Sequence, residues 1–205
     1  MKNLFCNVDT AKDFMYPDWG LPIPGAKKII PNLKRLTEHA REKDEPVINP
    51  ADWHDPDSEE ISSNPDFVNT FPVHCIKYTK GAEFIPETNP DNPYVVDWAD
   101  KEVDEEKVRQ HRNIVIYKDK FDVFAGNSHT DRILDILNPD RVFVYGVATN
   151  VCVDQAVMGL YARGQDVYAV TDAMQGLPGI ELPFDKWKGL GIKLVTTKDV
   201  LEDRL

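Results

Sequence analysis

The sequence predicts an α/β fold, a three-layer α/β/α arrangement built on a mainly parallel six-stranded sheet. Short apolar runs rich in β-branched residues, which are typical of buried strands, recur along the chain. Segments in which apolar residues have helical spacing separate most of these runs, and strands that alternate with helices are typical of a parallel sheet covered on both faces. The 205 residues are enough for one large core, so we expect a single domain over 1–205 with an irregular insert at about 87–112.

Two residues indicate how predicted helices begin. Pro31 fits the first turn or a kink of the helix around it, and Ser128 suits the N-cap of the helix that follows it. Asn-Pro and Asp-Asn-Pro turn signals mark 87–93 as irregular. The predicted elements are strands over 4–9, 46–51, 113–117, 166–170 and 192–196 and from Arg141 onward, and helices over 25–43, 97–110, 128–137, 151–163 and 181–190.

Composition and charge narrow the class of protein. The formal net charge of −11 argues against nucleic acid or an anionic membrane surface as a partner, because both require a basic surface. No apolar run approaches the roughly 18 residues of a membrane span, and the first residues become charged too soon for a signal peptide. The three cysteines are far apart and odd in number, which favours a reducing compartment over a disulfide framework. We therefore expect a cytoplasmic protein.

Polar side chains with chemical potential follow the predicted strands. Asp9, Asp52, His54, Lys118 and Cys152 each lie at, or just past, the carboxyl end of such a strand. Ligands of open parallel sheets bind outside that edge. The sequence therefore predicts one site at which these side chains meet.

A thiol, an ammonium and a carboxylate at one edge would make a nucleophilic site. Cys152 falls in the first turn of a predicted helix, where free N–H groups and the helix dipole favour a thiolate. Lys118 would lower the cysteine pKa, and Asp9 could accept and return a proton. Each residue also has an ordinary structural role open to it. Cys152 could be a small buried residue, Lys118 could extend to solvent, and Asp9 could cap the next loop.

A second group of residues has the character of metal ligands. Asp52 and His54 are two positions apart and therefore lie on the same side of an extended chain. His74 could supply a third ligand. A carboxylate with two imidazoles suits a divalent zinc, iron or manganese ion. An Asp-x-His pair is weak evidence when it stands alone.

Five segments occur in an order that matches one known family. They are Asn7-Val8-Asp9 with Asp13-Phe14, Asp52-Trp53-His54, Phe71-Pro72-Val73-His74-Cys75 with Gly81-Ala82-Glu83, Lys118 six residues before Phe124, and Gly146-Val147-Ala148-Thr149-Asn150-Val151-Cys152-Val153. On these segments, which extend over nearly the whole chain, the sequence resembles the isochorismatase-like cysteine hydrolases and, within them, the nicotinamidases.

The resemblance implies roles for the residues around the nucleophile. Asp9, Lys118 and Cys152 would be the catalytic triad. The Val147–Ala148 peptide would be the family's cis bond between non-proline residues, and the N–H groups of Ala148 and Cys152 would form an oxyanion hole. Lys120 competes with Lys118 for the lysine role, but the family's lysine-to-phenylalanine spacing favours Lys118.

The resemblance also implies how a ring would be held. Asp52, His54 and His74 would bind a metal that holds a pyridine nitrogen, with zinc expected first and iron or manganese as alternatives. Phe14 and Phe71 match aromatic residues that flank the ring in the family, although both could simply pack in the core. Glu60 lies where some members place a further metal ligand.

These implications predict an enzyme that converts nicotinamide and water to nicotinate and ammonia through a thioester on Cys152. The expected partner is a small-molecule amide, and a homo-oligomer is expected. Departures from the family pattern, such as Ala11-Lys12 after the first acid and Val151 before the nucleophile, keep another amide or carbamoyl hydrolase of the family open. A non-catalytic ligand-binding or assembly subunit is a further alternative.

Overall fold

The computed structural model describes residues 1–205 and contains one seven-stranded sheet in which all neighbouring strands are parallel. The strands are β1 (Asn3–Val8), β2 (Val47–Asp52), β3 (Tyr94–Val96), β4 (Asn113–Lys118), β5 (Arg141–Val147), β6 (Val167–Gln175) and β7 (Lys193–Val195). Their order across the sheet is β3-β4-β2-β1-β5-β6-β7. This arrangement confirms the predicted fold class.

Helices cover both faces of the sheet. They are α1 (Lys12–Met15), α2 (Ile30–Glu42), α3 (Glu105–Gln110), α4 (Val123–Gly126), α5 (Thr130–Leu137), α6 (Cys152–Ala162), α7 (Phe184–Gly189) and α8 (Thr197–Leu201). Two apolar cores result, because alternate strand residues point to opposite faces. Leu4 of β1 belongs to the core that contains α5 and α6, whereas its neighbour Phe5 belongs to the core that contains α2 and α8. None of the helices combines the length and apolar character that a membrane span requires.

The predicted count of six strands is wrong by one. The additional strand, β3, has three residues, pairs with β4 at one edge of the sheet and lies inside the segment expected to be irregular. A strand this short between turn signals leaves no alternating pattern to detect. The same segment contains α3, which is shorter than the predicted 97–110 helix because Asp104 caps it and accepts hydrogen bonds from the amides of Glu106 and Lys107.

The helix starts were predicted with mixed success. Pro31 does lie in the first turn of α2. Ser128 does not cap a helix: α5 begins at Thr130, and its N-cap residue, His129, provides no side-chain hydrogen bond. The short helix α4 precedes it, and the Thr130 hydroxyl donates back to the carbonyls of Val123 and Asn127. The chain therefore turns tightly between two helices where the sequence predicted one.

The topology identifies the edge at which a site can form. The chain runs from β1 through β2 to the β3 edge, and later returns to place β5 on the other side of β1. The carboxyl ends of β1 and β5 therefore flank the point where the strand order reverses, which is where open α/β sheets bind ligands. Asp9 directly follows β1, and Cys152 begins the helix that follows β5.

Candidate active site

A buried lysine joins two carboxylates at this edge. Lys118 is the last residue of β4 and is register-paired with Asp52, the last residue of β2. Its Nζ lies 3.0 Å from Oδ2 of Asp9 and is hydrogen-bonded to Oδ1 of Asp52. The Asp52 amide in turn donates to Oδ1 of Asp9 at 2.8 Å. All three side chains are at most 1% exposed, so the structure brings these predicted residues together out of water.

The charged groups in this cluster shift one another's pKa values. Burial lowers the pKa of Lys118, but Asp52 and Asp9 outweigh it and raise that pKa well above its ordinary value. Lys118 is therefore an ammonium at neutral pH. Burial and the charge of Asp52 raise the pKa of Asp9 to about 6, with Lys118 opposing the shift. A carboxylate with a pKa this close to neutrality can both accept and return a proton.

Cys152 lies beside this group. Its Sγ and one carboxylate oxygen each of Asp9 and Asp52 lie within 4.8 Å of one another. Burial raises the pKa of the Cys152 thiol well above its ordinary value; Lys118 opposes this, and the charges of Asp9 and Asp52 add to it. The helix dipole and Lys118 were expected to favour a thiolate. Burial and the two carboxylates have the larger effect on the pKa, so Cys152 is a thiol at rest. The thiol needs a base at the moment of attack, and Asp9 is in position to be that base.

The turn before Cys152 leaves two backbone donors free. The peptide bond between Val147 and Ala148 is cis, as the family resemblance implies. The N–H groups of Ala148 and Cys152 donate to no protein acceptor, and both residues line the same cavity. The neighbouring Thr149 amide, by contrast, is held by the carbonyl of Gln175 at 3.0 Å. Two free donors next to a thiol can stabilise an oxyanion.

The three predicted metal ligands form a second cluster. Oδ2 of Asp52 lies 3.7 Å from Nε2 of His54 and 3.6 Å from Nε2 of His74. Nδ1 of His74 lies 2.7 Å from the carbonyl of Pro72, which orients the ring with Nε2 toward Asp52. Oδ2 of Asp52 and both ring nitrogens of His54 are buried without a hydrogen-bond partner. A bound cation would give these buried oxygen and nitrogen atoms the partner that they lack. The residues therefore fit a divalent metal.

The ionisation of Asp52 and the position of Glu60 bear on this cluster. Burial alone would raise the pKa of Asp52, but Lys118 and the two histidines lower it well below its usual value, so the carboxylate is charged. Glu60 is buried nearby, yet it is outside the group of ligand atoms that lie within 4.8 Å of one another. Its Oε1 accepts from the amide of Phe121 at 2.9 Å. Burial and Asp52 raise the pKa of Glu60 to about 7.

Cys152 and two residues of the metal cluster, Asp52 and His74, line one narrow apolar cavity. Phe14 and Phe71, predicted to flank a ring, both line it, and the Phe14 ring centroid lies 5.3 Å from that of His74. The Phe121 ring packs edge-on against the Phe71 ring, with 5.6 Å between the ring centroids. The complete lining is Phe14, Leu21, Ile23, Asp52, Phe71, His74, Phe121, Ala148, Val151, Cys152 and Leu177.

Sequence reasoning missed four of these wall residues. Leu21 and Ile23 come from the loop after α1, and Leu177 from the loop after β6, where no pattern indicates a site. Phe121 had a signal, because it lies within the segment from Lys118 to Phe124 that carries the family spacing. This segment therefore contributes Phe121 to the cavity wall as well as the buried ammonium of Lys118.

Comparison with known proteins agrees with the fold. An isochorismatase-domain family model matches residues 3–181. A nicotinamidase of Schizosaccharomyces pombe is 26% identical over 190 residues, which are 82% of this chain and 80% of that protein.

Two of the similar solved structures illustrate the shared fold. The pyrazinamidase of Pyrococcus horikoshii in complex with zinc has a TM-score of 0.71 at 26% identity, with 96% of this chain and 99% of that chain covered. The N-carbamoylsarcosine amidase of Thermoplasma acidophilum has a TM-score of 0.74 at 22% identity, with 96% and 97% covered. The chain therefore belongs to the isochorismatase family of hydrolases.

Proposed function

We propose that this protein is an amidohydrolase that converts nicotinamide and water to nicotinate and ammonia. The observation that carries the proposal is that Cys152 and the metal-ligand residues Asp52 and His74 line one cavity whose other walls are aromatic and aliphatic. Such a cavity suits a flat ring that carries an amide at one end and a ligand nitrogen within it. The similarity to a nicotinamidase and to a zinc-bound pyrazinamidase supports the same substrate class.

The lining favours a neutral substrate over a carboxylate-bearing one. Nine of its eleven residues are hydrophobic, and none is an arginine or lysine. An N-carbamoyl amino acid would bring a carboxylate into a cavity that already contains Asp52 and has no arginine or lysine in its lining to pair with that carboxylate. An uncharged aromatic amide avoids this cost.

The residues support a two-step mechanism. Asp9 takes the thiol proton while Sγ of Cys152 attacks the amide carbon, and the developing oxyanion accepts hydrogen bonds from the Ala148 and Cys152 amides. Each such donor is worth about 3–4 kcal/mol. Asp9 then protonates the departing nitrogen, so that ammonia leaves and a thioester remains. Finally, Asp9 activates a water that hydrolyses the thioester to nicotinate and restores the thiol. Lys118 remains charged throughout and holds both carboxylates in place.

Asp52, His54 and His74 would hold the metal, with zinc preferred and iron or manganese as alternatives. When bound, the ion would supply a Lewis acid for the ring nitrogen of the substrate. The protein orients the ligands. The carbonyl of Pro72 holds the His74 ring, and Lys118 holds Oδ1 of Asp52, which leaves Oδ2 for the metal. Phe14 and Phe71 would confine the ring.

The test is ammonia release by zinc-loaded protein from four compounds. We expect turnover of nicotinamide and pyrazinamide and little of benzamide, which has the same shape without a ring nitrogen. Turnover of N-carbamoylsarcosine alone would assign a carbamoyl hydrolase instead. Absence of turnover of nicotinamide would contradict the proposal, and unchanged hydrolysis by Cys152→Ala would contradict the nucleophile.

A further inference from the structure

Asn150, in the turn that leads to Cys152, holds the loop over residues 176–183 between β6 and α7. Its Nδ2 donates to the carbonyls of Leu177 and Ile180, both at 2.9 Å. Its Oδ1 accepts from the Leu177 amide, also at 2.9 Å. One carboxamide therefore makes three hydrogen bonds to the backbone of a single loop.

The loop has little else to hold its backbone. Within 176–182, the other hydrogen bond is the long 3.4 Å contact from the side chain of Gln175 to the carbonyl of Gly176. Gly176 packs so closely that a Cβ there would lie 3.1 Å from Oδ1 of Asn150. Ile180 and Leu182 are exposed at 40% and 45%, so apolar burial of these two residues is incomplete. Asn150 is the principal polar anchor of this loop.

The loop contributes directly to the cavity. Leu177, whose amide and carbonyl both bond to Asn150, lines the cavity together with Val151 and Cys152. The position of this wall therefore depends on a residue that does not itself line the cavity.

We propose that Asn150 is a positioning residue for substrate specificity: it fixes Leu177 as one wall of the cavity and so sets the fit of the ring. This inference rests on the proposed function for its substrate. The chemistry of the residue is specific, because the site needs two donors and one acceptor, which a carboxamide supplies. An aspartate would offer no donor and would point a charge at two carbonyl oxygens.

The test compares Asn150→Asp with two other variants. Asn150 lies two residues before α6, where a negative charge is electrostatically favourable, so we expect Asn150→Asp to fold. We expect its KM for nicotinamide to rise about tenfold, with kcat changed less than about threefold, because the wall and not the nucleophile is displaced. Leu177→Ala should raise KM similarly, and the double variant should add little, since both act on one contact. Asn32→Asp, which loses a single 2.8 Å bond to the carbonyl of Asp172, is the matched control and should leave both constants unchanged.

Two measurements do not depend on the substrate. In Asn150→Asp, amide hydrogen exchange over 176–182 and the alkylation of Cys152 by iodoacetamide should both accelerate. Unchanged exchange and unchanged KM would overturn the proposal, as would a loss of kcat at constant KM, which would assign Asn150 to the nucleophile turn. If the wild type fails to hydrolyse nicotinamide, the proposed function fails, while exchange and alkylation still decide the role of Asn150.

Discussion

At the scale of single residues, the site is governed by a shortage of positive charge. One ammonium, Lys118, lies between the carboxylates of Asp9 and Asp52, and all three are buried. The charge is not shared equally: the pKa of Asp52 is lowered, whereas that of Asp9 is raised to about 6. Asp52 is thereby suited to hold a cation and Asp9 to exchange a proton. Two identical side chains obtain different roles from their surroundings.

The raised pKa of Asp9 predicts the pH dependence of the reaction. Because the unprotonated carboxylate must accept the thiol proton, kcat/KM should fall about tenfold per pH unit below about pH 6. The limb reports the protonation of Asp9, and it should appear at a pH above that of an ordinary aspartate. Asp9→Asn should lose at least about a hundredfold in kcat/KM. An acid limb near pH 4 in the wild type would show that Asp9 is not the base that limits the reaction.

Removing the ammonium should cost much more than removing an exposed one. We expect Lys118→Met to lower the free energy of unfolding by about 3–5 kcal/mol, because two buried carboxylates lose their counter-charge. Lys193→Met is the matched control: its partner Asp166 and Lys193 itself are each 46% exposed, so the loss should stay below about 1 kcal/mol. Urea unfolding at neutral pH measures both. Equal losses in the two variants would contradict the account of the buried group.

At the scale of elements, the carboxyl ends of the strands were predictable and the loops were not. Asp9 and Lys118 follow apolar runs, so their meeting could be expected from the pattern, because the carboxyl ends of parallel strands lie at one edge of the sheet. Leu21 and Leu177 reach the cavity because of long-range contacts, such as the bonds from Asn150, that leave no local trace. The thiol pKa also escaped prediction, since burial is a property of the assembled edge.

The pairing of β1 with β5 makes a demand that one glycine meets. Gly146 has φ of 119°, and a Cβ there would lie 2.0 Å from the carbonyl oxygen of Val8. We expect Gly146→Ala to destabilise the protein by more than about 3 kcal/mol and to reduce activity, because the clash separates the strand ends that precede Asp9 and Cys152. Gly164→Ala is the control, with φ of 74° and open space around the site, and should cost about 1–2 kcal/mol. Thermal unfolding of both variants separates the clash from backbone strain; equal shifts would contradict the argument.

At the scale of the whole molecule, the strand order brings together residues that are distant in sequence. Asp9, Asp52 and Cys152 reach one point because β1 lies between β2 and β5. The alternation of strands and helices was enough to predict the class, although it could not specify this order or the short strand β3. The family resemblance implies the proposed roles, and the burial and charges of the folded chain give a physical argument for them.

Asp52 belongs both to the buried charge group around Lys118 and to the predicted metal cluster. We therefore expect metal binding to stabilise the whole fold. The cluster of Asp52, His54 and His74 exists only when the strands and the loop that carries His74 are assembled, so a metal bound there favours the folded state. At a zinc concentration about a hundred times the Kd, the gain should be about 2.7 kcal/mol, seen as a rise in Tm that a chelator reverses. His54→Ala should abolish the rise, whereas Cys152→Ala, which leaves all three ligands in place, should retain it. His111→Ala, at the C-cap of α3 and outside the cluster, should behave like the wild type. A rise in Tm that survives in His54→Ala would locate the zinc elsewhere and would remove the metal from the account of the ring.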